Sequence, residues 1–183
     1  MKLQVKVEGE DTGTLFENLI KDLMMDLGIS GAIESLKLLL NPFKLLFAFE
    51  VEVKPVSRLI RLGEVAEVTE SHEGVRIKIA DERFSPDIIR ALESSYGKSV
   101  KHVSRLEVVI EESISRELIE NMAICDYSEV VERSILELMR RVTPEGFRSI
   151  RVMRSKNKIT LIASEDPLTD EMIEEAKLEL SKL

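Results

Sequence analysis

Leu3, Val5 and Val7 alternate with Lys2, Gln4, Lys6 and Glu8, the two-residue period of a strand with one buried face. The period then lengthens. Leu15, Phe16, Leu19, Ile20, Leu23, Met24 and Leu27 recur at three- and four-residue spacing, which predicts an amphipathic helix begun at Asp11-Thr12 and stopped by Gly28. Alternation returns from Ile33 to Val53, interrupted by Asn41-Pro42, a turn-forming pair that splits the run into two strands. The second of these is apolar on both faces through Phe43, Leu45, Phe47 and Phe49, then carries Glu50, Glu52 and Lys54, as a strand does when it passes from core into solvent.

Pro55 to Arg61 reads as a connector, followed by strands near Val65–Thr69 and at Val75, Ile77 and Ile79 across a His72-Glu73-Gly74 turn. Ser85-Pro86-Asp87 predicts a helix start, with Ser as cap and Pro in the first turn, and Gly97 a stop. Leu106, Val108 and Ile110 form a further strand. Asp126-Tyr127-Ser128-Glu129 opens a helix through Met139. Strands at Ser149–Met153 and Ile159–Ala163, joined by a polar turn, precede a last helix expected from Asp166-Pro167.

This order predicts an α+β fold, with antiparallel sheets, helices packed on one side and ferredoxin-like halves. The polar stretch Glu111–Ser115 suggests an N-terminal lobe over residues 1–112 and a C-terminal lobe over 113–183, with one shared core as the alternative.

Composition narrows the chemistry. One Cys and two His in 183 residues, Cys125, His72 and His102 in separate segments, leave no material for thiolate metal cages or His-centred triads. No phosphate-binding glycine loop occurs. Asp22 and Asp26 share a helix face but read as solvated acids. Cys125, before the Asp126 cap, reads as a small apolar residue at a junction, and the two histidines as surface groups. No catalytic, metal-binding or cofactor-binding residue is assigned, no cofactor is expected, and a binding protein is favoured over an enzyme. The charged start and the absence of any apolar run approaching a spanning helix predict a cytosolic protein without a membrane partner.

Charge is distributed unevenly. The segment Arg140, Arg141, Arg148, Arg151, Arg154, Lys156 and Lys158 contains seven bases against the single acid Glu145, a net of +6, which leaves −14 for the remainder of a chain that totals −8. Glu165 to Glu175 then carries six acids and no base. On a strand, Arg148 and Arg154 fall on the parity opposite to Arg151, so the charge reaches both faces and the strand belongs near a sheet edge. Two readings follow: docking on an acidic partner, through these seven bases and Phe147, or pairing with the acidic last helix of the chain itself. Nucleic acid is disfavoured, because Phe147 is the lone aromatic there. The Leu36–Phe49 hairpin reads as core, with an interface in a small homo-oligomer as the alternative.

Asp26-Leu27-Gly28, the Leu/Phe strand running into Val53-Lys54-Pro55, and Val142-Thr143-Pro144-Glu145-Gly146-Phe147-Arg148 together resemble the methanogenesis marker protein seventeen family. The resemblance covers nearly the whole chain and rests on turn and fold motifs without a catalytic signature. It implies a non-catalytic archaeal accessory protein acting in assembly or activation of methyl-coenzyme M reductase. The alternative from the residues alone is a small-molecule-sensing or nucleic-acid-binding α+β regulatory protein.

Overall fold

The computed structural model describes residues 1–9 and 13–183, so the Asp11-Thr12 helix start lies outside the described residues. The chain is α+β, and its contacts divide it into two compact units: Met1–Val56 with Val131–Leu183, and Ser57–Val130.

The first unit comprises β1 (Lys2–Val7), α1 (Gly13–Asp26), β2 (Ile33–Asn41) and β3 (Leu46–Val53) from the N-terminal part of the chain. The C-terminal part contributes most of α5 (Tyr127–Val142), then β10 (Ser149–Ser155), β11 (Lys158–Ser164) and α6 (Asp170–Ser181). Its sheet runs β1-β2-β3-β11-β10, with β1 parallel to β2 and every other pair antiparallel. β1 and β2 are direct neighbours, whereas a ferredoxin-like half interposes a strand between them. The pairing of β3 with β11 also joins segments assigned to different lobes, and position 112/113 falls within the second unit. Local periodicity reports the faces of a strand but not its partner, which is why the division differs from the expected one.

β2, β3 and β11 are buried on both faces. Leu36, Leu38, Phe47, Phe49, Val51 and Leu161 share one face by register, while Leu39, Leu46, Ala48 and Ile162 share the other. The second set packs on Ile173, Ala176 and Leu180 of α6. On the first face the Phe47 ring lies 6.2 Å from Phe49 and meets the Phe147 ring edge-on at 6.5 Å, and Arg154 of β10 pairs with Glu132 of α5. Helices thus cover both faces of this sheet, not the one side expected, because its central strands leave no polar face for water. The Leu/Phe hairpin is core, with one exception: Phe43 lies in the turn and is 79% exposed, since Asn41 closes that turn by accepting the Lys44 N–H at 3.1 Å and β3 begins only at Leu46.

Gly28 ends α1 as its spacing requires. It sits at φ 68°, and the Ile29 N–H bonds the Met24 carbonyl while that of Gly28 bonds Met25, closing the helix on a left-handed residue that costs glycine little. α6 starts at Asp170, four residues after the expected Asp166, because Thr169 supplies the cap by accepting the Met172 N–H at 3.3 Å. Asp170 and Glu171 in its first turn suit the positive end of the helix dipole.

The second unit holds β4 (Leu59–Arg61), α2 (Leu62–Val65), β5 (Ala66–Ser71), β6 (Gly74–Ile79), α3 (Ser85–Tyr96), β7 (Val100–Ser104), β8 (Glu107–Ile110), α4 (Arg116–Glu120) and β9 (Ala123–Asp126). Its four-stranded sheet runs β5-β6-β8-β7, and β4 pairs separately with β9. Here a single apolar face, with Val68, Ile77, Val108 and Ile110, packs on Ile88 and Leu92 of α3, while Arg76 and Glu107 pair on the reverse face. This sheet does carry its helix on one side. α3 starts at Ser85, but the Ser85 hydroxyl donates to the Arg105 carbonyl at 3.3 Å and does not cap the helix. Gly74 cannot carry a side chain: at φ 132° a Cβ would stand 1.9 Å from the Ile110 carbonyl oxygen.

The two phenylalanines of the hairpin make a paired stability prediction. Phe49→Ala removes a fully buried ring and is expected to cost about 3–5 kcal/mol. Phe43→Ala is expected to change stability by less than about 0.5 kcal/mol. Urea unfolding of the two variants checks both.

Candidate functional site

The basic segment resolves into a helix end and a sheet edge. Arg140 and Arg141 close α5, where a cation meets the negative end of the helix dipole. Both also bond Glu137: the Arg140 Nη2 stands 2.6 Å and the Arg141 Nε 2.9 Å from its Oε1. Hydrogen bonds from Arg140 first and Arg141 second hold the Glu137 carboxyl down at about 2. The spacing of i to i+3 and i+4 that joins these three residues is visible in the sequence.

Phe147, expected to face a partner, is half-buried and edge-on to Phe47. It secures the segment that leads into β10. From there Arg148, Arg151, Arg154 and Lys156 are all exposed. β10 is the outermost strand of its sheet, paired only with β11, so charge on both parities does mark an edge. Arg154 shares a face with Ile150 and Val152, Arg151 with Met153. Ile150 is 51% exposed, an apolar residue left uncovered at the rim.

The chain answers much of this charge itself. Arg154 pairs with Glu132, Lys158 Nζ lies 3.2 Å from Glu50 Oε1, and Arg151 Nη1 lies 3.9 Å from Asp170 Oδ1 at the start of α6. Arg148 and Lys156 make no ion pair among the described residues. The acidic last helix therefore contributes a single long contact, and most of the internal neutralisation comes from Glu137, Glu132 and Glu50. A hollow of about 300 Å³ opens beside the hairpin, lined in part by Glu50, Met153, Lys158, Thr160 and Lys177.

The remaining candidates do not converge. Asp22 and Asp26 are exposed on α1, His72 is in the β5–β6 turn, and His102 on β7 faces Glu93 at 3.0 Å. Cys125 lies half-buried in β9 opposite Ile60. Asp126 accepts the Ser128 N–H and hydroxyl, each at 2.9 Å, and the amide bond first holds its carboxyl below the usual range. Among the described residues no group of three His, Cys, Asp or Glu could hold a metal ion, and no helix is long and apolar enough to cross a membrane.

Residues 3–183 match the family described as "Uncharacterized protein conserved in archaea (DUF2113)". The chain belongs to this archaeal family. It is also similar to an uncharacterized protein of Methanocaldococcus jannaschii, 29% identical over 180 residues that cover 96% of this chain and 90% of the relative. No solved structure matches it.

The Glu137 cluster makes a pH prediction. Because the folded carboxyl is held below its ordinary value, its pairing adds stability that is fully present above about pH 4.5 and is lost as pH falls through about 2. Wild type should therefore melt above Glu137→Gln at pH 6, by the small margin that solvent screening leaves to an exposed cluster. Thermal melts between pH 6 and pH 2 should show the two curves converging toward the acid end.

Proposed function

We propose that the protein is a non-catalytic accessory or assembly subunit that docks its β10–β11 hairpin on an acidic surface of a larger complex. The observation that carries this reading is the edge strand β10, which sets Arg148, Arg151, Arg154 and exposed Ile150 at the rim of a sheet in a chain otherwise strongly acidic. Like-signed charge elsewhere leaves this rim as the face an acidic partner approaches without repulsion. The existing ion pairs do not close it. Exposed pairs of this kind are worth about 0–1 kcal/mol, so a partner carboxylate can replace Glu132 or Asp170 at little cost. Arg148, Arg151, Arg154 and Lys156 form the docking set, with Lys158 bracing the hairpin against Glu50. Arg140 and Arg141 belong to the end of α5.

The resemblance to the methanogenesis marker protein seventeen family names the complex: the machinery that assembles or activates methyl-coenzyme M reductase, in the cytoplasm of a methanogenic archaeon. Membership of a family conserved in archaea, and the Methanocaldococcus relative, support an archaeal setting for it.

Native anaerobic purification from the protein's own cells at moderate salt, with mass spectrometry of what accompanies it, tests the reading. Stoichiometric recovery with the reductase or its assembly proteins is expected. Arg148→Glu combined with Arg151→Glu and Lys156→Glu, which spares the Arg154–Glu132 pair, should lower that recovery at least tenfold while circular dichroism stays native. Recovery of the wild-type chain alone, or equal recovery with the triple variant, would reject it.

A further inference from the structure

We propose that the partner binds β10 by strand addition: an acidic, extended segment of another protein pairs main chain to main chain along Ser149–Ser155 as a sixth strand. This rests on the acidic-partner reading of the same hairpin and specifies how the contact is made.

Three features of β10 point to it. The strand is seven residues long and its register with β11 is continuous from Ser149 to Ser155. It has no bulge and no proline, two of the devices with which sheets blunt an exposed edge; its one such device is charge, Arg151 and Arg154, which an acidic strand neutralises. Alternate N–H and C=O groups of an antiparallel strand point away from its one neighbour, so a row of main-chain donors and acceptors faces outward from β10. The rim is also apolar where it need not be: half-exposed Ile150, with Val152 beside it on the same face and Met153 on the other, would gain cover from the side chains of an added strand.

Charge selects the occupant. Two β10 edges brought together antiparallel set Arg151 opposite its own copy in one register, and in the register centred on Val152 set Arg154 diagonal to Arg148, so either crowds like charge along the seam. A second copy is thereby disfavoured, although the main chain would accept it. A strand carrying Glu or Asp on one face answers Arg151, or Arg148 and Arg154, and lays apolar residues on the reverse face. The opposite edge of this sheet, β1, offers a weaker case, since its two bases, Lys2 and Lys6, share one parity and include no arginine.

The test uses the full chain and a capped ten-residue peptide of alternating Glu and Val, with amide exchange followed by NMR. Binding is expected to raise protection at alternate residues of Ser149–Ser155 at least tenfold. The same peptide N-methylated at every backbone nitrogen keeps its charge but loses all its donors, and should bind at least tenfold more weakly. Equal binding of the methylated peptide, protection that falls elsewhere, or no binding up to about 1 mM would each overturn strand addition. Sedimentation showing two copies of the chain joined through β10 would overturn it as well. These outcomes are separable from failure of the docking reading, which the native purification and the charge-reversed triple variant decide on their own.

Discussion

The antiparallel pairing of β3 with β11 is the contact on which the first unit depends. It joins Leu46–Glu52 to Lys158–Ser164, segments separated by more than a hundred residues, so its loop-closure entropy must be met before any of the flanking packing is gained. Once made, it leaves the middle of the central strands with no solvent-facing side, while Glu50, Glu52 and Lys158 emerge half-exposed at one end. Phe47 and Phe49 point one way, Ala48 and Leu46 the other, and each direction needs its own helical cover. The same pairing settles where the hairpin goes. With β11 against β3, β10 can only be outermost, and the basic residues it carries are delivered to the rim as a by-product of core topology.

Electrostatics at that rim is a balance between self-neutralisation and availability. Glu137 holds two arginines on its own helix through short contacts at one turn's spacing, an arrangement that persists because it is local. Arg154 and Lys158 reach acids on other elements: the Glu132 pair forms with α5 docked on the sheet, and the Glu50 pair with β11 in register against β3. Arg151 meets Asp170 only at 3.9 Å. The count of seven bases therefore overstates the net positive charge at the end of α5, where one carboxylate answers two exposed arginines, more than it does along β10.

Elements spanning two or more periods were legible along the chain: β1, α1, β3, α5 and the last hairpin all follow from alternation or helical spacing. The three-residue β4 and the short helices α2 and α4 hold less than two periods each, too few for a pattern to declare itself, and the four-residue β9 has no buried residue to give it an alternation. β7 was hidden for a different reason: only Val100 of its five residues is buried, so it has no alternation to read. The edge position of β10 was legible because charge on both parities is incompatible with a central strand. Its ion pairs with Glu132 and Glu50 were not, since they depend on which helix covers which face. The spacing of Glu137, Arg140 and Arg141 was available, and it separates these two arginines from the hairpin without any coordinates.

The small pairing of β4 with β9 brings Leu59 opposite Asp126, and the Tyr127 N–H bonds the Arg58 carbonyl at 2.7 Å. The two ends of the second unit thus lie about a strand's width apart. Along the chain, Ser57–Val130 is inserted between the two segments that build the first unit. The family match over residues 3–183 and the Methanocaldococcus relative both run through this insertion, so it belongs to what the family shares rather than to this chain alone.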